Sequence, residues 1–538
     1  MANLSTMLRL LVLSLFPVLG AAQANFSSKL PLLLIDTEGR EIVDEPKVAA
    51  RLTIINHEDG TRNRPDDTPT GYNGFISIEL RGSSSQALFP KKGFGFETRD
   101  ADGEDLDASL LGMPEEEDWV LHGPYSDKSL IRNALSYHLA GEIMDYAPRI
   151  RLVELLVNGD YRGVYLLTEK IKRDKNRVDV SKLTEEDNSG DQLTGGYLLK
   201  LDKETGEQAG DYPLLFNSKY GSALSDGKPV RILYDYPAPE DITVPQRTYI
   251  QDFIRAFEDR LAGPKFTDAV AGYRPLVDLQ SFVDFMIVNE VARNVDGYRL
   301  SSWMYKVKDS KGGKLHMGPV WDFNLAFGNA NYCGGNSTTG WAYDFNQVCP
   351  DDFWFVPFWW ERMREDPAFR ELWQERWEEL RAGPLSDARL DIVVDSLVNE
   401  LGDAADRNFV RWPVLGTPVW PNAFVGSDYA SELDYLRGWI DDRMAWLDGA
   451  IQSTTPLRTV PNVPTVALAP NPTTGTFRLV AEPAARVEHT YLYDGLGRLV
   501  LTGVPGQRLF DLSRFPAGVY TLSTMIEGWR HSGRVVLQ

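Results

Sequence analysis

The stretch GPVWDFNLAFGN, residues 318–329, decides how this chain is read. Asp322 stands between a Val-Trp pair and a Phe, and Asn324 and a Phe-Gly turn follow. A lone carboxylate among large apolar side chains is costly unless it is paired or holds a cation. Upstream, NEVARNVDGYRLSSWMYK (289–306) takes Asp296 out of a helical pattern into a short loop. A strand then runs out and a second returns to Asp322, so two acids 26 positions apart sit on neighbouring loops. Phosphoryl transfer asks for such a pair: one acid orients the acceptor hydroxyl and the other holds a divalent cation on the phosphates. Oxygen ligands for that cation would come from Asp322 and the Asn324 amide. The residues alone equally allow a loop-capping acid paired with an arginine.

Three further stretches set polar groups amid apolar ones. In RGSSSQALFPKKGF (81–94), Arg81 closes a strand, Ser83 and Ser84 lie in a flexible Gly/Ser turn, and Lys91 and Lys92 enter the next strand. Such a turn can lay backbone N–H groups on a phosphate that a following lysine neutralises. In SDKSLIRNALSYHL (126–139), Arg132 and Asn133 read as a surface arginine and a local cap. In GVYLLTEKI (163–171), Glu169 ends an apolar strand, either solvated or partnered by a lysine or a ligand hydroxyl.

The chain has 538 residues, room for two or three cores. Against 56 Lys+Arg stand 77 Asp+Glu, a formal charge of −21 that disfavours nucleic acid and anionic membranes as partners. The acidic runs at 115–118 and 185–187 read as solvated loops. Arg9, the apolar LLVLSLFPVLG and the small residues AAQA form a signal-peptide pattern over 1–24, too short to span a bilayer. In an exported chain the two cysteines, Cys333 and Cys349, close in a Gly/Asn/Ser-rich loop, are expected to form one disulfide.

Period-two patterns predict strands at LPLLLIDT, VAARLTIIN, GFISIEL and KKGFGFETRD, with Phe94 and Phe96 on one face. A helical period covers 128–144, with Asp127 as its cap, and Asn158-Gly159 marks a hairpin between two strands. Helix returns from Asp278, and residues 353–451 are helix-rich, with a Trp stripe in FRELWQERWEELRAG that reads as core. STTPLRTVPNVPT (453–465) reads as a linker, and the residues from 466 to 538 as a small β-module.

From about Lys29 to Ile451 the chain resembles the CotH family of atypical protein kinases. The matching motifs, in order, are RGSSSQ…FPKK, SLIRNALS, NGDYRGVYLLTEKI, GGYLLKLDK (195–203), FMIVNEVARNVDGY and GPVWDFNLAFG. The resemblance implies an α+β, bilobal, protein-kinase-like domain over 25–452, using ATP and Mg2+ (or Mn2+) to phosphorylate Ser or Thr of an exported protein. It implies Asp296 as the catalytic acid, Asp322 with Asn324 as metal ligands, Lys91 or Lys92 with Arg81, Ser83 and Ser84 at the nucleotide phosphates, and Glu169 near the nucleotide between the lobes. Two departures stand out: Leu300, Ser301 and Ser302 where many members carry Asn, and Asn324 where many carry Asp. Nucleotidyl transfer (AMPylation) is a second enzymatic option, and a catalytically silent surface protein binding a partner or glycan is the rival. The last seventy residues resemble the type A sorting domain of the type IX secretion system of Bacteroidota, through Pro-Asn-Pro at 470–472, Gly475, Gly497-Arg498 and PAGVY at 516–520. That implies a C-terminal β-sandwich, the secretion machinery as partner, and a secreted or cell-surface location.

Overall fold

The computed structural model describes residues 26–204, 212–221, 229–454, 467–480, 486–495, 498–526 and 529–538. The expected leader at 1–24, the expected linker from residue 455 onward, and Gly497 lie outside them. The chain is a mixed α+β protein of two compact units that divide between Thr454 and Thr455.

The first unit opens with a closed barrel. Strands β1 (Leu32–Asp36), β2 (Val48–Ile55), β3 (Asn73–Arg81), β4 (Gly93–Arg99), β5 (Asp118–His122), β6 (Ile150–Val157) and β7 (Asp160–Glu169) run in the order β1-β2-β3-β4-β5-β7-β6. Parallel pairing of β1 with β6 closes it. Alternate residues fill the interior, among them Leu33 and Ile35, Leu52 and Ile54, Ile76 and Ile78, and Phe94 and Phe96. This is the period-two signature of a barrel whose side chains occupy its lumen. The β6–β7 hairpin turns at Asn158 (φ 50°) and Gly159 (φ 75°), the left-handed pair that such a turn needs. Its strands are apolar on both faces because Leu152, Val164 and Leu166 point outward into the helical core.

Two expectations change here. The Gly/Ser turn after β3 is a short helix, α1 (Ser84–Leu88). The acidic run at 115–118 is a buried ion-pair cluster rather than a solvated loop. Glu116 and Asp118 are buried, and Lys172 Nζ lies 3.0, 2.7 and 2.8 Å from Glu116, Glu117 and Asp118. Packed carboxylates demand cations, and Lys172 and Arg177 supply them.

Helix α2 (Arg132–Ile143) carries the apolar face predicted for it but starts four residues beyond Lys128, because Asp127 accepts from the Arg132 backbone N–H at 2.9 Å. A five-stranded sheet follows, in the order β12-β11-β8-β10-β9, from β8 (Tyr197–Leu201), β9 (Leu215–Asn217), β10 (Arg231–Tyr236), β11 (Ser302–Lys306) and β12 (Leu315–Val320). Helices α3 (Val244–Ala262) and α4 (Leu279–Ala292) belong to the core beside it, α4 capped by Asp278, which accepts from Ser281 N at 3.0 Å. The remaining helices include α5 (Trp359–Arg364), α6 (Pro367–Arg381), α7 (Asp387–Leu401), α8 (Ala404–Arg411) and α9 (Tyr429–Thr454). Trp359, Trp360, Trp373 and Trp377 are buried, so the Trp stripe is core. Cys333 and Cys349 are joined in a disulfide.

The second unit holds two antiparallel sheets, β13-β14-β17 and β16-β15-β18-β19, built from β13 (Ala467–Ala469), β14 (Thr476–Val480), β15 (Val487–Tyr493), β16 (Leu499–Gly503), β17 (Leu509–Asp511), β18 (Gly518–Ile526) and β19 (Trp529–Leu537). Phe477, Leu492, Phe510, Tyr520 and Val535 form their shared core. Among the described residues no helix is long and apolar enough to cross a membrane.

Candidate active site

Strand register brings the two acids together. β11 runs antiparallel to β12, with Ser302 opposite Val320, so the loop entering β11 and the loop leaving β12 meet at one end of the sheet. The first loop carries Asp296 and the second carries Asp322. Backbone strain concentrates here: Arg293, Tyr298, Ser301, Asp322 and Phe327 all have positive φ, between 42° and 68°. Non-glycine residues in that region cost about 1–3 kcal/mol each and persist only where the surroundings hold them.

The surroundings do hold them. Arg132, fully buried, pairs with Asp127 at 2.7 Å and donates from Nε to the Ala326 carbonyl at 3.1 Å and from Nη2 to that of Phe327 at 3.4 Å. Asn133 Oδ1 accepts from Phe323 N at 2.6 Å, and the Tyr137 hydroxyl accepts from Asp322 N at 3.1 Å. The reading of Arg132 and Asn133 as a surface residue and a local cap is therefore corrected: one turn of α2 is the clamp on the Asp322 loop. Asn329 Nδ2 closes that loop by donating to the Asn324 carbonyl at 2.8 Å. Glu290 of α4 braces the other loop, accepting from the Tyr298 hydroxyl at 2.9 Å and pairing with buried Arg443 at 2.9 Å.

Among the described residues the Asp322 carboxylate has no hydrogen-bond or ion-pair partner. It keeps part of its surface exposed, yet burial pushes its pKa up to about 7, and the like charges of Asp296 and Asp202 add to the rise. Lys203 and Arg81 oppose it. Asp296 is differently placed: Arg299 Nη2 holds it at 2.8 Å, and Nη1 of the same guanidinium lies 3.2 Å from Asp352. A cavity opens beside this pair, lined by Asp202, Val230, Arg231, Arg299, Phe353 and Trp354.

The other expected site residues divide. Arg81 reaches the site, its guanidinium 5.7 Å from the centre of the Trp321 ring. Ser84 Oγ lies 3.4 Å from Lys203 Nζ, and Ser83 stands immediately before the same short helix without capping it through its side chain. Lys91 does not point into the cleft. Its ammonium is buried on Asn408 Oδ1 (2.7 Å) and the Pro124 carbonyl (3.2 Å), over the Tyr165 ring, and burial depresses its pKa. Lys92 Nζ donates to the Gln86 carbonyl. Glu169 is fully buried, with Arg149 Nη1 at 2.9 Å, Arg149 N at 2.9 Å and the Tyr146 hydroxyl at 3.2 Å, so its carboxylate is spoken for within the protein. Sequence reasoning missed Arg299, Tyr137, Asp202 and Lys203. Only the last two left a signal: an Asp-Lys pair closing the apolar strand YLLKL.

A family model described as CotH kinase protein matches residues 78–447. The chain belongs to the CotH kinase family. That span includes both acids, the α2 clamp and the five-stranded sheet. No curated protein matches the chain. Membership suggests a kinase-like phosphotransferase, and kinase families in general use a nucleotide and a divalent cation. The donor set here fits such an ion. Asp322 offers an unpaired carboxylate and Asn324 an amide two positions on, and hard cations of the Mg2+ type take oxygen ligands of this kind.

Proposed function

We propose that this CotH family protein is an exported, bilobal protein kinase that transfers the ATP γ-phosphoryl group to Ser or Thr of an exported or surface protein. One observation carries the reading: among the described residues Asp322 is an acid without a hydrogen-bond or ion-pair partner, partly exposed, and close enough to Asp296 to feel its charge. Structural acids at such depth are paired, as Glu169 and Glu290 are here. Mg2+ (or Mn2+) neutralises phosphate charge when bound, and Asp322 with Asn324 would hold it. Asp296, fixed by Arg299, orients the acceptor hydroxyl and takes its proton as the oxygen–phosphorus bond forms and ADP leaves with the old bridging oxygen. Arg81 adds positive charge on the phosphate side. The closed barrel and the five-stranded sheet support a two-lobed, kinase-like arrangement with the nucleotide between them.

Export is proposed on the two ends of the chain. The signal-peptide pattern supports passage out of the cytoplasm, and the second unit, with its sorting-domain motifs, supports type IX secretion to the cell surface.

The experiment is calorimetric ATP binding to the purified protein with and without Mg2+, together with labelled-phosphate incorporation into acceptor proteins from the same source. Mg2+-dependent binding with transfer is expected. Absence of any Mg-ATP binding by folded protein would replace this reading with that of a silent kinase-like surface protein, and labelled AMP incorporation in place of phosphate would replace it with nucleotidyl transfer.

A further inference from the structure

Resting on the kinase reading above, the geometry points to Asp202 and Lys203, the two residues that follow β8, as the second acid of the cation site and the phosphate-binding cation.

Three strand ends meet at the site. In the sheet order β12-β11-β8, Leu201 pairs with Ser302 and Ser302 pairs with Val320. Asp202 therefore lies one residue past the end of β8, level with Ser301, and Asp322 lies at the same end of the sheet on the far side of β11. Two strand spacings separate the two backbones, about 10 Å. Two aspartate side chains and two metal–oxygen bonds of about 2.1 Å reach across such a gap. Between them the sheet presents Ser301 and Ser302, whose short side chains leave the space clear; Ser302 Oγ turns away to donate to the Leu300 carbonyl at 2.9 Å. The Asp202 carboxylate accepts from the backbone N–H of Lys203 at 2.8 Å and from that of Ser301, which fix it in place, and Asp202 lines the cavity beside Arg299. A carboxylate here restores the negative charge that Asn324 does not supply.

Lys203 fills a second vacancy in the chemistry. The two lysines of the barrel are committed, Lys91 to Asn408 and Lys92 to Gln86. Lys203, by contrast, pairs with no carboxylate among the described residues. Its Nζ lies 3.4 Å from Ser84 Oγ and 5.3 Å from the Trp354 ring centre, so it reaches from the sheet toward the end of β3, where Arg81 stands. Among the described residues this cation meets a hydroxyl and a ring face and no carboxylate, so it can bind phosphate oxygens beside the acids without breaking an ion pair to any of them.

The test uses the full-length protein and the variants Asp202→Asn, Lys203→Met and Lys203→Arg, each first shown to melt as wild type. Mn2+ binding is read by electron paramagnetic resonance, and ATP binding by calorimetry in the presence and absence of Mg2+. Asp202→Asn should weaken Mn2+ binding at least about tenfold, and Lys203→Met should weaken ATP binding at least about tenfold, each the loss of one charge-assisted contact. Lys203→Arg should recover most of the ATP affinity. If wild type binds Mn-ATP and both Asp202→Asn and Lys203→Met bind it equally well, the assignment is wrong while the kinase reading stands. If wild type binds neither ion nor nucleotide, both fall together.

Discussion

The amide of Phe323 donates to Asn133 Oδ1 across 2.6 Å, joining residues 190 apart in the chain. This bond and the neighbouring Arg132 contacts fasten the loop of Asp322 to the first turn of α2. Asn133→Ala leaves a buried N–H without its acceptor, a loss of about 1–3 kcal/mol. Arg132→Met strands buried Asp127 and should cost more, about 3–5 kcal/mol. Urea unfolding of both variants checks the order. Equal stability of Arg132→Met and wild type would refute the clamp.

The two acids should fail in different ways. Asp322→Ala should abolish transfer and greatly weaken Mg2+-dependent ATP binding, because its carboxylate holds the ion that clamps the nucleotide. Asp296→Ala should lose transfer while keeping most of that binding. Calorimetry with and without Mg2+, on variants that melt as wild type does, separates the two roles.

Lys91→Met should change stability and leave ATP affinity as in wild type. Its ammonium meets Asn408, Pro124 and the Tyr165 ring, none of which faces the cleft acids. A tenfold loss of ATP affinity in a folded Lys91→Met protein would return the phosphate role to the barrel.

Acid should destabilise the first unit partly through His122. Burial lowers its pKa to about 4, helped by Lys91 and opposed by Asp127. An unfolded histidine titrates near 6.5, so between about 6.5 and 4 the unfolded chain binds a proton that the folded chain does not. Stability is then level above 6.5 and falls as pH drops toward 4, by up to about 3 kcal/mol. Urea melts at pH 7.5 and 4.5 should show a smaller difference for His122→Gln than for wild type.

A chain ending at Thr454 should keep the Mg-ATP binding of the full chain, since the unit boundary falls there. In the source cell the same truncation should leave the protein in the periplasm. Normal surface delivery of the truncated chain, read by surface labelling, would overturn the sorting proposal.

Local regularity made much of this protein legible from its residues. The strands of the barrel announce themselves by alternation, the β6–β7 hairpin by Asn158-Gly159, α4 by its cap Asp278, and the family by ordered motifs from Arg81 to Gly328. Such features depend on neighbours a few positions away, and a string of letters preserves them. What it does not preserve is which polar side chain ends up facing which. Lys91 and Lys203 look alike as letters, yet one is sealed against Asn408, 317 residues away, and the other reaches Ser84 Oγ and the face of Trp354. The same holds for Arg132, which reads as a surface residue and is a fully buried brace. Charge burial is decided by packing between distant segments, because the cost of removing an ion from water is met only by partners that folding brings there. The sequence by itself therefore determined the elements, the family and the two central acids; the tertiary structure alone decided which cations and which third carboxylate stand with them.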